Sequence, residues 1–129
     1  MYQQDVEEIK YTISEYLAEF TQAIYYGSTS SLGYYIDENS ALYQEQVDFI
    51  TNLYENYIEE EILDYEFKDV KSLDKDTYEA VVKESYAIYY YDEYWSDPTE
   101  ETVNQTTTYT LKRIDDSFYI VDLKVATED

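Results

Sequence analysis

Carboxylates and phenols supply nearly all of this chain's reactive side chains. Of 129 residues, 30 are Asp or Glu and 19 are Tyr, and there is no His and no Cys. Without His the commonest general base is gone, and without Cys the thiol nucleophile is gone. The usual zinc ligands go with them. Two carboxylates stand among apolar neighbours. Asp122 interrupts the apolar closing segment, and Glu84 lies between Val82 and Tyr86. A carboxyl group driven into an apolar pocket can serve as an acid or base, with tyrosine as a donor. Asp122 shares parity with Phe118 and Ile120 and opposes Tyr119, Val121 and Leu123, which sets it toward solvent. A solvent-facing position is the expectation for Glu84 as well.

The aromatic residues are densest at Tyr89, Tyr90, Tyr91, Tyr94 and Trp95, among Asp92, Glu93, Asp97, Glu100 and Glu101. Tyrosine offers a rigid, amphipathic face with a hydroxyl at low entropic cost, which suits sugars, peptides and cationic groups. Tyr89, Tyr91, Tyr94 and Trp95 are therefore the candidate ligand-binding residues. A second group, Tyr25, Tyr26, Tyr34, Tyr35 and Tyr43, reads as a cap on one end of the domain. Acidic runs at 74–76, 92–101 and 115–116 supply oxygens without the spacing of a metal loop. Asp37 and Asn39 begin like a calcium loop, but the sixth position is Leu42 and the twelfth is Asp48. No phosphate loop or nucleophile elbow is present. No metal and no cofactor are expected.

These residues sit on an extremely acidic chain, with a formal net charge of −22. Such a surface repels nucleic-acid phosphates and anionic headgroups, and favours neutral or cationic partners. The chain is 44% hydrophobic with two Gly and one Pro, so it can build a core and is read as one domain over 1–129. No apolar run is long enough to span a bilayer, and the N-terminus lacks a basic stretch before an apolar core. Met1 directly precedes an acidic, helix-like segment. The expectation is a domain excised from a longer protein.

Periodicity gives the elements that must position these groups. Val6, Ile9, Ile13, Leu17, Phe20 and Ile24 recur at three- and four-residue steps, opposite Glu7, Glu8, Glu15 and Glu19. Asp5 meets the positive end of that helix, and Gly27 with the serines and threonine after it ends the helix. A short helical turn is expected within 31–36. Asn39 or Ser40 then caps a second long helix, with Leu42, Phe49, Ile50, Leu53, Tyr57 and Ile58 on its buried side. It is expected to end near Ile58, because Glu59, Glu60 and Glu61 oppose a helix C-terminus. From Ile62 the period becomes two. Leu63, Tyr65 and Phe67 form the apolar set, and a slip to Val70 predicts a bulge near 68–69. Further strands are expected over 77–91, 102–114 and 118–125, with an acidic loop at 92–101. Strands joined as hairpins are antiparallel. Helices segregated from such a meander imply an α+β fold with the sheet curved around them.

This order resembles the NTF2-like (cystatin-like) α+β cone: two long helices and a short one packed on a curved four-stranded antiparallel sheet. The closing hairpin carries the resemblance most specifically, through Leu111, Asp115, Asp116, Phe118, Tyr119, Ile120, Val121 and Asp122. Within that superfamily the Tyr-rich, Cys-free, acidic chain looks most like the extracytoplasmic C-terminal domain of TcaA/YvbJ-type membrane proteins of Firmicutes. The run from Ile9 to Phe20 is in the style of those domains. The resemblance implies a membrane-tethered parent at the Gram-positive cell surface and a role in the response to glycopeptide antibiotics. It also implies that such cones pair through the outer sheet face, here the side of Thr106, Thr108 and Thr110.

The reading that follows is a non-enzymatic binding or sensing domain of the cell envelope. Its expected ligand is a cell-wall component, a peptide, or a cationic or sugar-containing molecule, and nucleic acid is excluded by charge. The alternative is a small-molecule enzyme of the same fold, using a pocket carboxylate (Glu84 or Asp122) as acid or base.

Overall fold

The computed structural model describes residues 2–127. Helix α1, Tyr2–Tyr26, buries Ile9, Ile13, Leu17, Phe20 and Ile24, together with Tyr16 and Ala23. Gly27 then adopts φ 67°, and the Ser28 N–H donates to the Ala23 carbonyl at 3.0 Å. That six-to-one bond at a left-handed glycine closes the helix. Asp5 does more than meet the helix dipole. Its carboxylate accepts from Tyr78 Oη at 2.9 Å and from Arg113 Nη2 at 2.8 Å, tying the start of α1 to the sheet.

A 3-10 turn at Leu32–Tyr34 leads to a short extended stretch. There the Asp37 N–H donates to the Ile120 carbonyl at 3.0 Å, and the Ile120 N–H donates to the Tyr35 carbonyl at 2.8 Å. The connection thereby covers part of a sheet edge. Helix α2 is Ala41–Glu55 and stops before the expected end at Ile58. Tyr57, at φ 61°, reverses the chain, and Glu59, Glu60 and Glu61 open the first strand rather than close the helix. The charge conflict is resolved by placing the three acids outside the helix altogether.

The strands are β1 Ile58–Asp74, β2 Thr77–Tyr90, β3 Thr99–Ile114 and β4 Ser117–Thr127, antiparallel in the order β1-β2-β3-β4. β3 starts at Thr99 rather than 102, because its pairing with β2 runs on to Tyr90. The expected irregularity between Phe67 and Asp69 is present, but another lies between Ile62 and Asp64. Each bulge inverts the facing of the strand. Ile58, Ile62, Phe67 and Val70 consequently pack on the core, while Leu63 is exposed and Tyr65 only just less so, contrary to the single-parity reading. β4 shows the same device. Phe118 and Ile120 are buried, the register slips opposite Thr110 and Leu111, and Leu123 turns inward thereafter. Asp122 pairs with Thr110 on the outer face, so its solvent exposure comes from the slip and not from an unbroken alternation.

The core lies between the two helices and the inner face of the sheet, with Tyr109, Leu111, Val82 and Ala80 against α1 and α2. Among the described residues, no helix is long and apolar enough to cross a membrane.

Candidate functional site

The three consecutive glutamates at the start of β1 organise the candidate sites. Strand alternation sends Glu60 into a cleft between the helices and the sheet. Its neighbours bond to the phenols of β2 and the loop after it. Tyr91 Oη donates to Glu59 at 3.0 Å, and Tyr89 Oη donates to Glu61 at 3.4 Å.

Tyr91 leads into the loop that carries Trp95. The Trp95 ring centroid lies 5.4 Å from Tyr91, 5.7 Å from Tyr54 and 5.3 Å from Tyr57. Tyr25 and Glu59 complete an open groove of about 440 Å³ along this cluster. The loop is internally braced. Asp92 Oδ1 accepts the N–H groups of Tyr94 at 2.9 Å and Ser96 at 3.0 Å, and the Trp95 N–H donates to the Asp92 carbonyl at 2.9 Å. The Ser96 N–H is the first cause that holds the Asp92 carboxyl below its ordinary value. Trp95 and Asp97 adopt φ 57° and 50°, which these braces fix in place. The structure therefore joins Tyr91 and Trp95, two of the sequence-derived candidates. Tyr89 lies in the adjoining depression with Tyr25 and Tyr26, and Tyr94 is 79% exposed, pointing to solvent. Tyr25, Tyr54, Tyr57 and Glu59 were not foreseen as partners. Tyr57 carried an apolar helical spacing that hid its role as the residue reversing the chain.

The second tyrosine group does not form one cap. Tyr25 and Tyr26 meet edge to face at 4.9 Å beside the Trp95 groove. Tyr34 and Tyr35 line a separate groove with Tyr11 of α1, and Tyr43 packs on the core.

The cleft beneath the helices encloses about 420 Å³. Glu84 sits on its floor, 1% exposed, which overturns the solvent-facing expectation. The register explains this: Glu84 shares the inner face with Val82 and Tyr86 and pairs with Gln105 of β3. Four uncharged donors hold it. Tyr86 Oη at 3.1 Å, Gln105 Nε2 at 3.0 Å and Thr107 Oγ1 at 2.8 Å reach one carboxyl oxygen, and Tyr109 Oη reaches the other. Burial, and then the Glu84 charge, push the phenols of Tyr16, Tyr86 and Tyr109 far above their ordinary range, so they remain donors. Sequence reading could see Glu84 among inward residues, but not that Gln105 and Thr107, in a threonine-rich strand, would supply its partners. Asp122 is on the opposite face and takes no part. Burial pushes the Glu60 carboxyl up to about 7. Among the described residues, no group of three or more Asp or Glu is placed to hold a metal ion.

The family model described as "TcaA protein NTF2-like domain" matches residues 6–124. No curated protein sequence matches the chain. Among solved structures, the intermembrane space region of the chloroplast protein ARC6 superposes with a TM-score of 0.79 at 12% identity, covering 93% of this chain and 95% of that one. A periplasmic fragment of TraM gives a TM-score of 0.63 at 12% identity, over 99% of this chain and 100% of that one. An NTF-2 like protein from Shewanella oneidensis gives 0.57 at 15% identity, over 90% of this chain and 97% of that one. At these identities the superpositions speak for the fold, an NTF2-like α+β cone. With nearly its whole length matched by the family model, the chain belongs to the TcaA NTF2-like domain family.

Proposed function

We propose that this is a non-enzymatic, extracytoplasmic binding or sensing domain of a membrane-anchored cell-envelope protein at the Gram-positive surface. Its ligand is a cell-wall fragment carrying a sugar or an amine, and its role is linked to the glycopeptide antibiotic response. The observation that carries this reading is the Trp95 groove. Trp95 is flanked by Tyr54, Tyr57 and Tyr91 and backed by Glu59, on a loop already fixed by Asp92. Aromatic faces stack on sugars and attract ammonium groups, and preorganisation lowers the entropy lost on binding. Family membership supports the envelope location. Similar solved domains from an intermembrane space and a periplasm fit it too.

A second reading, a small-molecule enzyme with Glu84 as acid or base, is favoured by the burial of Glu84 in the cleft. Against it, both carboxyl oxygens are already engaged by Tyr86, Gln105, Thr107 and Tyr109. Calorimetric titration with disaccharide–pentapeptide fragments of peptidoglycan tests the binding reading. Trp95→Ala should weaken binding about tenfold or more, in line with the loss of a buried aromatic anchor, while Tyr94→Ala should leave it unchanged. Equal affinity of the wild type and Trp95→Ala would remove the groove from the account.

A further inference from the structure

We propose that the cleft between the helices and the sheet, separate from the Trp95 groove, is a binding site for a small organic amine with an apolar body, and that Glu60 is its counter-charge. The cleft measures about 420 Å³, enough for a molecule of roughly ten to fifteen heavy atoms. Its walls are largely hydrocarbon: Phe20, Phe49, Ile88, Val103, Leu123 and Val125. It contains two carboxyl groups, Glu60 and Glu84, and its lining includes no Lys or Arg. A largely apolar cleft with two carboxyl groups and no basic side chain is matched by a cation whose remaining surface is apolar.

The two carboxyl groups have different parts. Glu84 is satisfied by its four protein donors and closes the floor of the cleft. Glu60 is the available one. It pairs with Ile88 across the strands and faces the cleft, and no side chain among the described residues donates to it or forms an ion pair with it. A carboxylate partly removed from water without a partner is costly, and an incoming ammonium group compensates it. Tyr16 and Tyr86 belong to the same lining, so the ammonium meets a carboxylate with aromatic side chains beside it. An alcohol of the same shape would fill the walls and donate one hydrogen bond but leave the Glu60 charge uncompensated, and an acid of the same shape would be repelled. Specificity for charge is therefore built into the site rather than into its size.

Calorimetry or ligand-observed NMR with phenethylamine, 2-phenylethanol and 3-phenylpropionate tests this. The amine should bind at least tenfold more tightly than the alcohol, and the acid should not bind. Glu60→Gln preserves shape and removes the charge, and should bring the amine down to the affinity of the alcohol. Val103→Trp, which fills the cleft, should abolish binding of both, and Trp95→Ala should leave the Glu60-dependent binding of the amine in place. The proposal is overturned if amine and alcohol bind equally, if no amine binds at millimolar concentration, or if Glu60→Gln binds the amine as the wild type does. It is also overturned if Trp95→Ala rather than Val103→Trp removes amine binding, because the amine would then belong to the groove.

Discussion

At the scale of single residues, the interior is organised around two carboxyl groups with opposite fates. Glu84 has a complete set of donors, and removing its acceptors would strand three buried hydroxyl groups. Glu84→Gln presents an amide N–H₂ toward groups that are themselves donors. It should cost about 2–4 kcal/mol of stability, measured as a fall in the urea midpoint; an unchanged midpoint would mean that the network is not structural. Glu60 has no such set, and burial raises its carboxyl to about 7. The protonated form is thus favoured in the folded state relative to the unfolded chain. Stability from this group is fully present below about 4.5 and is lost as pH rises through about 7. The wild type should lose on the order of 2 kcal/mol between pH 5 and pH 8, after allowance for partial exposure. Glu60→Gln should flatten that slope and be the more stable protein at pH 8. Paired denaturation curves at the two pH values check this, and a slope unchanged by the substitution would contradict it. The carboxyls held low, Asp5, Glu66, Asp74 and Asp92, act below this window.

At the scale of elements, the site depends on where helices stop and strands slip. Gly27 ends α1 in the left-handed region, and a Cβ there would lie 2.7 Å from the Tyr54 ring, which itself packs on Trp95. Gly27→Ala should therefore cost about 1–2 kcal/mol and shift the Trp95 emission as Tyr54 is displaced. A thermal melt and a fluorescence spectrum of the variant read both effects, and an unaltered spectrum would show that the helix end does not set the groove. The helices and the strand order were legible in the sequence because their apolar periods are long and unambiguous: Ile9 to Ile24 for α1, Tyr78 to Tyr86 for β2. The loop cluster was legible in part, since Tyr91 and Trp95 are close along the chain. What was not legible depended on bulges and on long-range pairing. The slip after Ile62 inverted the face of β1, and the slip after Ile120 did so in β4. Tyr54 reaches Trp95 from another element, a contact that no local spacing encodes. Helix-dipole reasoning set Glu59, Glu60 and Glu61 outside the helix, as found, but their place in the first strand was missed because three consecutive acids show no apolar alternation. Tyr57 ends the issue by breaking the helix first.

At the scale of the whole molecule, the net charge of −22 surrounds both concave sites with a negative field. Such a field accelerates the approach of cations and weakens with ionic strength. Two sets of tyrosines stand out: Tyr16, Tyr78, Tyr86 and Tyr109 are buried, while Tyr25, Tyr54, Tyr57 and Tyr91 gather at one end around Trp95. Because Trp95 is the one tryptophan of the chain, the groove reports on itself. The most direct measurement is therefore the Trp95 emission during titration with peptidoglycan disaccharide–pentapeptide fragments at low and high salt. A saturable change in intensity or wavelength is expected at either salt concentration. Emission that stays constant to millimolar ligand at low salt would contradict it.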